Sequence, residues 1–253
     1  MWTDEELEQL EEEEHSLTVE EITAMFLLLG IAKSDIQKEL RDFYSKYGTD
    51  GVVTYQEARK WVSDKDHRNR MVVLLLFITS RFNDLLGDLE PHFRSFLIKL
   101  ISKESRFFNV NLDADELLFK DWGVDEANWL DRLEDDVELW YYNISKDVKQ
   151  SMLQRKNIDS VLNDLDKSFV SIEKVLQRLA ITEATAMNSI ARRQIFKELG
   201  IKKYKFYARE DERTCEHCGA LHGLTFPITA YEIGVTASPI HSRCRCWEVP
   251  IVE

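Results

Sequence analysis

All four cysteines of the chain fall after Tyr204. Cys215 and Cys218 form a C-x-x-C pair, Cys244 and Cys246 form C-x-C, and His241 stands three residues before the second pair. A C-x-x-C turn reverses the chain between its thiols, so both converge on one point. In extended chain, residues i and i+2 share a side, which turns Cys244 and Cys246 together and Arg245 away. Two such pairs and an imidazole supply what a tetrahedral structural zinc requires. Five candidates compete for four positions: three cysteines with His241, or the four cysteines alone. His217 and His222 rank below them. The alternatives are four reduced thiols in a small core, or disulfides formed after release from a cell.

Nine glycines and four prolines in 253 residues leave most of the chain without turn punctuation. That favours long helices over many short strands. The expected class is mainly α: a multi-helix body with a small C-terminal Cys/His-stapled, β-containing module, zinc-ribbon or treble-clef-like. A module too small for a core of its own depends on such a staple. A net charge of −13 argues against a surface that coats DNA throughout. The first residues show no basic stretch followed by an apolar one, and the apolar run at 71–78 is shorter than a membrane span requires. The expectation is synthesis in a reducing cytoplasm, where clustered thiols favour metal over disulfides.

The chain divides in three on composition: an N-terminal helical domain at 1–140, a basic helical segment at 141–210 and the Cys/His module at 211–253. The first fourteen residues carry eight acids and no base, which reads as a solvated, fraying helix or as an arm for a basic partner. Thr18-Val19-Glu20-Glu21 has the form of a capping box, predicting a helix from there to Leu29, with Gly30 ending it and Ser34 capping the next. Asp50-Gly51 invites comparison with a calcium loop. Lys46 and Gly48 would then occupy the first and third ligand places, so a plain turn is expected. A helix is predicted from Met71 to Gly87, and another opening at Pro91. Breaks are predicted at Asn157 and around Asp166-Lys167-Ser168. The aromatic residues between Phe107 and Tyr142 read mainly as core.

Arg192, Arg193, Lys197, Lys202, Lys203, Lys205 and Arg209 crowd the approach to the cysteines. They could touch phosphates, or serve as a solvated helix end. No nucleotide-binding glycine loop, nucleophile elbow or H-E-x-x-H is present. Glu183 reads as a lone helical carboxylate without an evident partner. The enzymatic rival is a zinc-supported nuclease with His222 as base, for which no carboxylate pair is evident.

The pattern Asp211-Glu212-Arg213-Thr214-Cys215-Glu216-His217-Cys218, then Leu221-His222-Gly223, Phe226-Pro227 and Pro239-Ile240-His241-Ser242-Arg243-Cys244-Arg245-Cys246, resembles the C-terminal signature of the phage Mu F-like minor head proteins. Thr182-Glu183, Gly200 and the stretch from Tyr204 to Tyr207 fit as well. Ile181 departs, standing where that family has arginine. The resemblance implies a non-enzymatic minor capsid protein of a tailed bacteriophage, acting in head morphogenesis. It would be made in the host cytoplasm and carried in the virion. The implied partners are the portal protein, the major capsid protein or both, with phage DNA a further contact and DNA ejection an associated role. No membrane is implied.

Overall fold

The computed structural model describes residues 2–63 and 66–252. In chain order the elements are α1 (Asp4–Tyr47), α2 (Tyr55–Ala58), β1 (Trp61–Ser63), β2 (Asp66–Asn69), α3 (Arg70–Phe108), α4 (Ala114–Leu118), α5 (Trp129–Leu153), α6 (Ile158–Glu198), β3 (Lys203–Tyr207), α7 (Glu216–Leu221), β4 (Thr225–Pro227), a 3-10 turn (Ile228–Ala230) and β5 (Trp247–Ile251). The body is helical, as the scarcity of glycine and proline requires.

Four predicted helix boundaries are absent. The helix starts at the capping box Thr3–Glu6, not at Thr18: the Glu6 amide donates to the Thr3 hydroxyl (3.2 Å) and the Thr3 amide to the Glu6 carboxylate (2.8 Å). Thr18 is buried within α1, its hydroxyl turned back onto the Glu14 carbonyl. Gly30 is helical, with nothing within 4 Å of where a Cβ would lie. The acidic start is therefore continuous with α1, and its Leu7 and Leu10 are buried. Pro91 lies inside α3. A proline inside a helix forgoes one backbone hydrogen bond, and Pro91 is exposed. Proline costs roughly 3 kcal/mol there, which burial of Leu89, Phe93, Phe96 and Leu97 on the opposite side offsets. Asp166 does not interrupt α6, because it is held on the surface by Lys33 (2.8 Å) and Gln37 (2.8 Å). The break at Asn157 is present, with the Ser160 amide donating to the Asn157 side chain (2.9 Å).

The chain forms two compact units. One comprises residues 24–90 and 133–175. Leu29, Ala32, Ile36 and Leu40 of α1, Leu74, Ile78 and Phe82 of α3, Val137, Trp140 and Ile144 of α5, and Val161, Leu165 and Phe169 of α6 recur at three- and four-residue steps and are buried. Phe82 stacks on Phe169 with ring centroids 6.3 Å apart. Asp50 (φ 51) and Gly51 (φ 72) are the centre of a tight turn closed by mutual Thr49–Val52 hydrogen bonds, a geometry that favours Asp-Gly.

The other unit holds the residues up to Thr23, 91–132 and those from Leu176 onward. Its sheet has the order β4-β3-β5, all antiparallel, with Tyr204 opposite both Phe226 and Pro250, and Tyr207 opposite Trp247. Leu7, Leu10, Phe108, Ile195, Phe196, Tyr204, Tyr231 and Trp247 build one core. Phe206, Ala208, Cys218, Cys244 and Cys246 build a second, smaller one. By length and composition α1 could cross a membrane over an eighteen-residue window, a test that core helices of soluble proteins also pass.

Candidate metal centre

The Cys/His module is assembled from two segments, the start of α7 and the stretch leading into β5, around the small second core. Cys215 is the N-cap of α7 and accepts the Cys218 amide at 3.3 Å. Asp211 sets the approach: it accepts the Arg213 amide (2.9 Å), and its carboxylate takes both arms of the Arg245 guanidinium at 2.7 and 2.8 Å. That fork ties the loop before the first cysteine pair to the residue between the second pair. Asp211 is held well below the usual carboxylate range, first by Arg245 and then by the Arg213 amide. Arg245 thus points away from the thiols of Cys244 and Cys246, both buried.

His241 Nε2 lies 3.2 Å from the Cys215 sulfur and 3.3 Å from that of Cys218, and Cys218 and Cys244 sulfurs are 3.9 Å apart. A zinc ion with Zn–S of about 2.3 Å and Zn–N of about 2.0 Å has tetrahedral edges of roughly 3.8 Å between sulfurs and 3.5 Å between sulfur and nitrogen. The observed edges match within a few tenths of an ångström. The opposite imidazole nitrogen supports the fit: Nδ1 faces the Ser242 carbonyl at 2.8 Å. A proton there donates to that carbonyl and leaves the Nε2 lone pair aimed at the sulfurs.

Cys215, Cys218 and His241 form one mutually close group, and Cys218, Cys244 and Cys246 another, so Cys218 belongs to both. Cys244 is pushed down to about 5, first by a hydrogen bond from the Cys246 thiol, which outweighs burial. Cys218 is pushed up to about 12, by burial and then by the Cys244 charge. Cys246 is raised further, by that same bond to Cys244 and by burial. Burial and mutual repulsion therefore oppose ionising all the thiols together, which a divalent cation would relieve.

Helix α6 holds this module from below through residues that local pattern did not mark. The Thr185 hydroxyl donates to the Cys244 carbonyl at 2.8 Å, and the Arg243 amide donates to the Thr182 hydroxyl at 2.9 Å. Arg243 has a left-handed backbone (φ 62). Glu248, wholly buried two residues beyond Cys246, accepts from the Ser238 amide (2.6 Å), the Tyr231 hydroxyl (2.9 Å) and the Ser189 hydroxyl (3.0 Å).

Glu183 has partners the sequence did not reveal. The Trp122 indole donates to it at 2.9 Å and Arg132 at 2.9 Å, while Arg132 forks onto Asp125 at 3.0 and 2.6 Å. Burial pushes its carboxyl up to about 7, with Arg132 pulling the other way. His222 belongs to neither thiol group; its Nδ1 accepts the Ala208 amide at 3.2 Å. His217 is exposed on α7.

The seven basic residues occupy different settings. Arg192 is buried among carboxylates and offers nothing to solvent. Arg193 and Lys197 are exposed one turn apart on α6, beside a cleft of about 930 Å³ that His241 also lines. Lys202 and Lys203 are exposed; Lys205 is half-buried, its ammonium 5.6 Å from the Tyr207 ring centre, and Arg209 is half-buried.

The fold and site define a mainly helical protein with a Cys/His cluster near its C-terminal end that could hold a metal ion. Residues 142–249 match the model of the family described as Phage Mu protein F like protein, and that stretch is similar to this family. Comparison with curated proteins and with solved structures found no match.

Proposed function

We propose that the chain is a minor head protein of a tailed bacteriophage that acts in head morphogenesis and is carried in the virion. The family match over residues 142–249 carries this reading. In it the chain binds the portal protein or the inner face of the capsid as a structural component, with no catalytic step. Cys215, Cys218, His241 and Cys244 hold a structural zinc, and the Cys246 thiol hydrogen-bonds the Cys244 ligand. The bound ion would supply the charge that lets these thiols ionise together. A closed four-ligand set makes it a fold element. Phosphate contact, with phage DNA as the polymer, falls to Arg193, Lys197, Lys202, Lys203, Lys205 and Arg209.

The test is co-purification of the full chain with the portal protein and the major capsid protein encoded beside it. Co-elution with the portal protein is expected; binding to neither protein contradicts the assignment. Duplex DNA affinity measured at two salt concentrations tests the basic residues. Changing Lys202, Lys203 and Lys205 to alanine should flatten the salt slope by about one for each phosphate that is no longer neutralised. An unchanged slope excludes them.

A further inference from the structure

Within the unit that carries the module, α1, α3 and α6 bury three carboxyl groups against one guanidinium. Glu11 and Glu14 lie on one face of α1 and Glu104 on α3, each offering an oxygen within 4.8 Å of the other two. Arg192 of α6 reaches in between: its Nη2 contacts Glu11 and lies 2.5 Å from Glu104 and 3.6 Å from Glu14. The side chains of Glu14, Glu104 and Arg192 are 3%, 0% and 1% exposed, so water cannot screen the excess negative charge.

The neighbouring groups are engaged elsewhere. Asn188 of α6 donates to one oxygen of Glu14 at 2.8 Å. Lys103, next to Glu104, pairs with Glu13 outside the cluster. Glu248 of β5 faces Arg192, but its carboxylate already accepts three hydrogen bonds and only its carbonyl meets the guanidinium, at 3.4 Å. One oxygen of Glu104 meets Arg192, while its other oxygen and the remaining oxygen of Glu14 have no hydrogen-bond donor. These two carboxyls lie within hydrogen-bonding reach of each other. Two facing acceptors are satisfied together only when a proton lies between them. A metal ion held by the three oxygens would compete for the space and charge that Arg192 already supplies.

We propose that Glu14 and Glu104 share a buried proton, and that this proton latches residues 4–23 of α1 onto α3 and α6. Burial pushes both groups up from the ordinary value of 4.5; at Glu14 the charges of Glu104 and Glu11 add to it, and at Glu104 Arg192 pulls the other way. A group raised in the closed state favours closure while protonated, so the latch is tightest at acid pH. It weakens as pH rises from about 4.5 through the raised value. His15 titrates in the same segment with the opposite sign: burial and then Arg209, Arg245 and Arg213 lower it, so its loss of charge tightens the segment as pH rises. The direction of the pH response therefore separates the two. The latch ties a segment outside the family match to α6, which lies within it.

The experiment is hydrogen exchange by mass spectrometry on the full, metal-loaded chain from pH 6 to 9.5, corrected for the intrinsic pH dependence of amide exchange. Opening of peptides within residues 4–23 is expected to rise by up to tenfold per pH unit for a one-proton latch. Glu104→Gln, whose amide supplies a permanent donor, should hold the segment closed and flatten the profile. Should that variant fail to fold, Glu14→Gln serves the same purpose, and the profile of the unaltered chain decides alone. Opening that is flat or falls with pH overturns the proposal. So does closure restored at pH 9 by millimolar calcium or magnesium, which would place a cation in the cluster.

Discussion

Glu183→Gln examines the carboxylate beneath the Trp122 loop. Glu183 is 1% exposed, and burial raises it from 4.5 to about 7 against the pull of Arg132. At about 1.4 kcal/mol for each pH unit, the ionised form costs the fold roughly 3 kcal/mol. A carboxyl raised in the folded state carries no cost below about pH 4.5, an increasing one between 4.5 and 7, and the full cost above 7. Glutamine keeps an oxygen for the Trp122 indole and removes the charge; Arg132 retains its fork to Asp125. The stability difference between variant and parent should therefore move by about 3 kcal/mol in the variant's favour from pH 5 to pH 8. Urea unfolding of both proteins at each pH measures it, and the thiol and imidazole titrations common to both cancel in the difference. A difference constant with pH would refute the reasoning, since Arg132 would then be keeping the carboxylate ionised throughout.

Thr185→Val removes the hydroxyl that donates to the Cys244 carbonyl. It should cost about 1 kcal/mol by urea unfolding and speed zinc transfer to a colorimetric chelator. Arg245→Lys keeps the charge and loses the two-armed contact with Asp211, so zinc release should quicken while helical content by circular dichroism stays unchanged. Phe169→Ala opens a cavity against Phe82 in the other unit. A loss of about 3–5 kcal/mol is expected, with the zinc content unaltered.

The sequence made the helical class, the loop pairing of the cysteines and the inward turn of Cys244 and Cys246 legible, because residue spacing fixes each of them. It misplaced helix ends wherever tertiary packing overrode a local signal. Thr18, Gly30, Pro91 and Asp166 are residue types that commonly end or start helices, yet Gly30 and Pro91 lie exposed and Asp166 half-buried on helices that bury other residues, and Thr18 is itself buried within α1. The supports of the metal centre were hidden for another reason. Thr182, Thr185 and Glu248 meet the cysteine loops only after folding, from positions tens of residues distant or on another strand. Arg192 misled in the same way: in sequence it belongs to a basic cluster, and in space it answers Glu11, Glu14 and Glu104.

Elemental analysis of the purified full chain tests the metal centre most directly. One zinc per chain is predicted, falling to none in Cys218→Ser, whose sulfur lies in both close groups. A chain that is folded through residues 203–251, carries no metal and is indifferent to chelator would contradict it.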